Sequence, residues 1–411
     1  MRLIGGALFT LLMACAALSG PSAQTGSASK IAYWNTTRRG ANLFNSVERA
    51  ERLQAAHAAG IEFVRIAPNK WLNGRPATQL GDFLIGPRDA YTGVNANDLR
   101  ALRTVLDAAD AAGEKVVLTM ISLPGARWSQ HNNGVEERKI WTSFAEQDRA
   151  IACWRDLAMA LRDHPAVVGY NVMNEPSPER VAPGLADWYT GDYAAWYARV
   201  RGTPADLNLF YRKVVASIRQ VDPHTPIVLD SGFFATPWAF KVLEPVDDSR
   251  VLYSFHMYEP YTFTNHRNQG KFHYPGPVPT GEGDAPVTVN WNRAEMASFL
   301  KPVVDWQERF HIPSNRILAG EFGVARTNTG AVEYMSDVIA TLESRRWHWA
   351  FYGYREDGWD KMDYELGTTK PPAAYWQAAE RNVPPDPAVV YKPNALWNVI
   401  ARGLRGPRSG K

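Results

Sequence analysis

The chain has 411 residues, 45% of them hydrophobic and 21% charged, which is enough for one large domain or two modest ones and excludes a disordered segment. A formal net charge of +3 with acidic and basic residues interspersed gives no electrostatic case for nucleic acid or a membrane surface, so a neutral partner fits better. Aromatic residues make up 12%, including 15 Trp and 17 Tyr, which suits either a Trp-rich core or a groove lined with flat rings.

The N-terminal stretch MRLIGGALFTLLMACAALSG carries one basic residue, an apolar run from Leu3 to Leu18 and small residues after it. It reads as a secretory signal of residues 1–23, cleaved near Ala23, rather than a membrane span. The mature domain is then residues 30–411, secreted or periplasmic, with no membrane attachment. Lipidation at Cys15 is disfavoured, because Leu12-Met13-Ala14 is only a fair approach to such a site and the preceding segment is short. Once the signal is removed Cys153 stands alone, which leaves no intramolecular disulfide.

Eight short runs rich in Val, Ile and aromatics follow: GANLF from Gly40, IEFVRIAP from Ile61, KVVLTMIS from Lys115, VVGYNVMNEP from Val167, PIVLDSG from Pro226, VLYSFHMYEP from Val251, RILAGEFGV from Arg316 and HWAFYGYRE from His348. Six longer segments with helical spacing lie between them: VERAERLQAAHAAG, ANDLRALRTVLDAADAAG, FAEQDRAIACWRDLAMALRDH, ADLNLFYRKVVASIRQVD, AEMASFLKPVVDWQERF and AVEYMSDVIATLESRRW. Ser143 with Glu146 makes a capping box, and Thr203, Pro204 and Asp206 make a second helix start. Gly60 and Gly113 end two helices just before strands.

Strand and helix alternating over one uninterrupted domain predict an α/β fold, a closed (β/α)8 TIM barrel forming a single catalytic domain. A doubly wound open sheet is the runner-up, but no glycine-rich phosphate loop follows the early strands. Connections leaving the strands are long, at 69–95, 124–141, 176–202 and 261–289, and loops on that end of a barrel build one cleft. Trp71, Trp128, Trp188, Trp196, Trp238, Trp291 and Trp359 lie in or beside them, and several of these are expected to line the groove. Trp154 and Trp306 fall within helices and are expected to pack.

The run VVGYNVMNEP ends in an amide, a carboxylate and a proline. Glu175 there, and Glu321 in ILAGEFG, each fall at the C-terminal end of a strand, where a side chain enters the cleft from a rigid support. Two such acids among apolar neighbours should have their pKa values pushed apart, one staying protonated while the other attacks. Glycoside hydrolysis needs that pair. Asn174 is placed to donate to a sugar 2-hydroxyl, and Arg65 to hold the nucleophile ionised. His256 and Tyr258, two apart on one strand, share the cleft face. Asp230, Glu356 and Asp357 are competing acids, with Asp230 or Glu356 expected to orient a loop or bind substrate. His256 lacks a second ligand at metal spacing, so no metal is expected.

In these segments the chain resembles glycoside hydrolase family 5, the cellulase family. The matching motifs are RGANLF, VRI with Arg65, NEP with Asn174 and Glu175, HMY with His256 and Tyr258, GEFG with Glu321, and WAFYGYRE, in that order over nearly the whole mature chain. The resemblance implies Glu175 as acid/base, Glu321 as nucleophile, a covalent glycosyl-enzyme, retention of configuration and no cofactor. Two positions depart from the family pattern. TMISLPG puts Thr119 and Ile121 where a DLH histidine is common, with His131 the only stand-in nearby. The stacking tryptophan of the last strand is matched by Tyr352, with Trp349 three residues before; Trp128 is a further candidate platform. The expected activity is that of an exported endo-β-1,4-glucanase acting on polysaccharide or oligosaccharide. A β-mannanase or other β-glycan hydrolase, and a glycan-binding barrel without catalysis, are the alternatives. Oligomeric state is left open, with a monomer as the expectation.

Overall fold

The computed structural model describes residues 29–71, 81–86, 91–281, 287–356, 359–381 and 383–406. The expected signal of residues 1–23, with Cys15, lies outside the described residues, as do Asp357 and the side chain of His131. Each of the eight predicted runs contains a strand: β1 (Arg39–Leu43), β2 (Phe63–Ile66), β3 (Lys115–Thr119), β4 (Val167–Asn171), β5 (Ile227–Asp230), β6 (Val251–Met257), β9 (Ile317–Phe322) and β10 (His348–Phe351). They close into one parallel barrel in the order β1-β10-β9-β6-β5-β4-β3-β2. The remaining two strands, β7 (Gly276–Thr280) and β8 (Val287–Trp291), form an antiparallel hairpin in the loop after β6.

Period two along the strands divides the barrel interior into an apolar lower layer and a polar upper one. Phe63, Val117, Val168, Val228, Leu252, Leu318 and Ala350 pack with Trp34, which closes the bottom and donates its Nε1 hydrogen to Val168 O at 2.9 Å. Two residues further along the same faces stand Arg65, Thr119 and Asp230, all fully buried. Gly40 is needed beside this plug, since a Cβ there would fall 2.6 Å from the Phe63 ring and from its carbonyl oxygen.

Five of the six helical segments form as single helices: Ala50–Ala58, Ala96–Ala112, Phe144–Leu161, Leu207–Arg219 and Ala331–Ser344. The sixth is split at Leu300 into Arg293–Phe299 and Lys301–Arg309, just ahead of Pro302, which has no N–H to continue the ladder. After β5 a 3-10 turn at Pro237–Lys241 replaces a helix, and Phe240 there meets Trp306 edge-on at 5.2 Å. A last helix, Ala395–Leu404, covers β10 and carries no predicted segment. Among the described residues no helix is long and apolar enough to cross a membrane.

Two helix starts differ in detail. Ser143 is the N-cap residue, but its side chain makes no cap bond, and Glu146 instead accepts from Arg149 at 2.5 Å. The start at Thr203 moves to Asp206, whose carboxylate accepts from Leu209 N at 3.0 Å and Gly202 N at 2.9 Å, while the Thr203 hydroxyl donates back to Val200 O. The carboxylate satisfies two backbone donors, and the hydroxyl would satisfy one. Gly113 takes the left-handed conformation that ends the helix before β3, as expected.

The loop tryptophans divide. Trp71, Trp188, Trp196 and Trp291 are buried, contrary to a role in a groove. Trp196 lies in a short helix, Tyr193–Val200, and Trp291 ends β8 with its Nε1 hydrogen on Thr280 Oγ1 at 2.7 Å, so structure inside the long loops folds these rings into the main apolar core. Trp128, Trp238 and Trp359 stay half-buried. Trp154 and Trp306 pack in the core, as expected.

Candidate active site

Arg65, on β2 and fully buried, organises the mouth of the barrel. One terminal nitrogen donates to Asn42 Oδ1 at 2.7 Å, Gly320 O at 2.9 Å and Glu321 Oε1 at 2.9 Å. The other donates to Asn171 Oδ1 at 2.7 Å and Asn174 Oδ1 at 3.0 Å. Arginine has only donors, so these contacts turn each amide oxygen inward and leave the amide nitrogens for other partners. The Asn42 nitrogen takes Gly320 O at 3.0 Å and the Asn171 nitrogen takes Asp230 Oδ1 at 3.2 Å. The Asn174 amide nitrogen is the end of that side chain not spent on Arg65.

Glu321 is the penultimate residue of β9, with a side chain 6% exposed. Its Oε1 accepts from Arg65, and its Oε2 accepts from the Tyr258 hydroxyl at 2.7 Å. Burial raises its pKa, and the Arg65 charge with both hydrogen bonds opposes that rise. Strand register places His256 of β6 directly beside it.

Glu175 lies four residues beyond the end of β4, at φ 51°, a left-handed conformation that a non-glycine residue holds only under constraint. Its N–H donates to Asp230 Oδ2 at 3.3 Å, and Asn174 N before it donates to Met120 O at 2.8 Å. The turn lifts the carboxyl into the cleft, where it is 17% exposed and its Oε1 is 2.8 Å from His256 Nδ1. Burial first, then the charges of Glu321 and Asp230, hold its pKa well above the carboxylate range against the pull of Arg65. His256 is driven the other way by burial and by Arg65, so its ring is neutral. Its Nε2 sits 3.5 Å from Asp230 Oδ2, which favours the Nε2–H tautomer and leaves Nδ1 to accept from a protonated Glu175.

One oxygen from each glutamate and a ring nitrogen of His256 lie within 4.8 Å of one another. Such spacing could also hold a metal ion, but the Arg65 guanidinium in contact with Glu321 already supplies positive charge. The donors on Glu321 favour the charge there, and the carboxyl with fewer donors, Glu175, is the one on which burial and neighbouring charges favour a proton.

Sequence reasoning missed Asn42 and Asn171; their place on the polar cleft-side end of β1 and β4 was the available signal. Asp230 sits beneath the pair and fixes the Glu175 backbone, the loop-orienting role expected of it. Glu356 accepts from the Tyr352 hydroxyl at 3.0 Å and from Lys70 at 2.7 Å, tethering that ring.

Tyr352 and Trp349 separate. Tyr352 faces the cleft, edge-on to Phe44 at 5.6 Å. Trp349 is corrected from a candidate platform to a core residue: it is fully buried, packs on Phe322 at 5.8 Å and donates to Glu343 Oε1 at 2.7 Å. An odd offset of three along a strand puts the two rings on opposite faces. Ile121 joins Phe44 and Ala67 in a small apolar cluster against which Trp128 and Tyr352 pack, so the position of the missing histidine is apolar wall.

A family model described as Cellulase (glycosyl hydrolase family 5) matches residues 24–358. Endoglucanase C of Acetivibrio thermocellus is 22% identical over 283 residues, 61% of this chain and 69% of that protein. A β-xylosidase of Phanerodontia chrysosporium is 29% identical over 164 residues, and that match spans 39% of this chain and 30% of the relative's length. Among solved structures, Cel5A of Thermotoga maritima in complex with cellobiose superposes with a TM-score of 0.56 at 17% identity, over 79% of this chain and 92% of that one.

Proposed function

The chain belongs to the cellulase family, glycosyl hydrolase family 5, and is a glycoside hydrolase; we propose that it is exported and cleaves β-1,4-glucan internally with retention of configuration. The observation that carries this reading is the Glu175–Glu321 pair, each with an oxygen within 4.8 Å of the other, because retaining glycosidases hold their carboxyls roughly 5 Å apart and inverting ones further.

In the first step the Glu321 carboxylate attacks the anomeric carbon, the bond from that carbon to the glycosidic oxygen breaks, and Glu175 gives its proton to the departing oxygen. Arg65 and Tyr258 keep Glu321 ionised and in place. Asn174 offers its amide nitrogen to the sugar 2-hydroxyl, while Tyr352 and Trp128 present rings to the substrate. Once Glu321 is esterified its charge is gone, and with it one of the causes that raise the Glu175 pKa. Glu175, now a carboxylate, takes a proton from water; the water oxygen attacks the anomeric carbon and Glu321 leaves. Both steps use only side chains of this chain and water.

Glucan is favoured by the endoglucanase relative, and export by the N-terminal leader. Reducing-sugar release from carboxymethylcellulose and from galactomannan tests the substrate. The glucan reading expects release from the first; release from galactomannan alone makes the enzyme a mannanase, and release from neither, nor from other β-glycans, favours a binding barrel without catalysis.

A further inference from the structure

The loop that carries Glu175 runs on to a second glutamate outside the mechanism. Glu179 is 2% exposed, and its Oε2 accepts from Phe233 N at 2.8 Å. Its Oε1 lies so close to Gly232 that a Cβ there would stand 2.2 Å away, so any larger residue at 232 must push the carboxylate aside. The turn it grips is unusual, because Phe233, Phe234 and Ala235 have φ of 47°, 62° and 61°, three successive side-chain-bearing residues in the left-handed region. Phe234 N–H donates to Pro176 O at 3.1 Å, and Ser231 Oγ donates to Thr236 O at 2.8 Å, closing the turn against the residue that follows Glu175.

Phe233 and Ala235 are buried by this arrangement, whereas Phe234 stays half-exposed and meets the half-exposed Trp128 edge-on at 5.9 Å. Trp128 comes from the loop after β3 and Phe234 from the loop after β5, the strands on either side of β4, so the two rings meet beside the loop that carries Glu175. Phe44 and Tyr352 follow β1 and β10, next to the strand of Glu321, and Trp128 packs on the cluster they share, so Phe234 is the ring that extends this wall past Trp128 toward Glu175.

We propose that Glu179 is a positioning residue which, by clasping Gly232 and Phe233, sets Phe234 beside Trp128 as the platform for the departing sugar. The inference rests on the reading of Glu175 as proton donor: the sugar that leaves with the protonated oxygen lies on the Glu175 side, over the exposed faces of those touching rings. Burial pushes the Glu179 carboxyl up to about 7, so a neutral amide is a fair stand-in for it.

The test compares two substrates with the same glucose units on the glycone side. Cellopentaose has a ring to place on the platform, and β-cellobiosyl fluoride has a leaving group with none. Glu179→Ala and Gly232→Ala break the clasp from either side and are expected to lower kcat/KM on cellopentaose by about tenfold or more, while the fluoride stays within about twofold of wild type. Glu179→Gln, which keeps an oxygen for Phe233 N–H, should restore cellopentaose to within about threefold. Phe234→Leu leaves the clasp intact and should reproduce the cellopentaose loss, which carries the test if the clasp variants do not fold. Equal loss on both substrates, no loss on either, or Glu179→Gln as impaired as Glu179→Ala would each overturn the proposal. A wild-type enzyme inactive on both substrates would overturn the glucanase reading itself, and the platform with it.

Discussion

Arg65 reaches Glu321 through one terminal nitrogen and Asn174 through the other, so a single planar fork sets the proposed nucleophile and the amide next to the proposed acid. Lysine cannot reproduce that fork. Arg65→Lys is therefore expected to lower kcat/KM by about 10²-fold or more. Tyr258→Phe removes one of the donors that restrain the Glu321 pKa. That pKa then rises, and because Glu321 must be ionised to attack, the acid limb of the kcat/KM profile should move to higher pH. For Glu175→Ala the loss should be about 10²–10⁴-fold on a glucan and much smaller on a dinitrophenyl glycoside, whose leaving group needs no proton.

At the bottom of the barrel Glu114 is fully buried, its Oε1 accepts only from Lys115 N at 3.2 Å, and burial pushes its carboxyl up to about 8. In the unfolded chain the same group titrates near 4.5. Between those values the native state holds the extra proton, so stability is complete below the lower pKa and falls as pH climbs toward the upper one. Thermal unfolding from pH 5 to pH 8.5 should show that fall, and Glu114→Gln should flatten it. Residues of this kind were partly legible in the sequence: Glu175 and Glu321 announced themselves because a carboxylate directly after an apolar strand is out of place unless it has a use. Asn42 and Asn171 did not, since an amide within a strand reads the same whether it meets an arginine or a carbonyl.

Strands read well because a parallel barrel buries both faces of each, which leaves continuous apolar runs bounded by turns. Face assignment within a strand was harder, and Trp349 shows why: an apolar residue satisfies either side of a barrel wall, and only the offset from Tyr352 separates them. The helix Ala395–Leu404 follows a proline-studded stretch, where strand and helix no longer alternate closely, and the turn after β5 depends on Glu179 from another loop. Four loop tryptophans turn out buried for a related reason: Trp291 and Trp196 sit in a hairpin and a helix formed inside the loops, and Trp188 and Trp71 pack on Phe299 and Phe83, partners that no strand or helix periodicity announces. Closure of the barrel makes its own prediction. Gly40→Ala drives a methyl group into Phe63 at the centre of the lower layer and should cost about 1–3 kcal/mol, read as a lowered midpoint in thermal unfolding.

For the whole molecule, closing eight strands into one ring brings the ends of β4 and β9 to the same mouth, and the polar layer above the apolar plug gives both acids the same buried surroundings. What distinguishes them is the company each keeps: two donors on Glu321, and the neutral His256 with two neighbouring negative charges on Glu175. In the proposed mechanism that difference sets the roles, and the short gap between the carboxyls sets the stereochemistry. Proton NMR of the first sugar released from a β-linked cellooligosaccharide tests this directly. The account predicts that the new reducing end appears as the β-anomer and only later mutarotates; the α-anomer appearing first would contradict it.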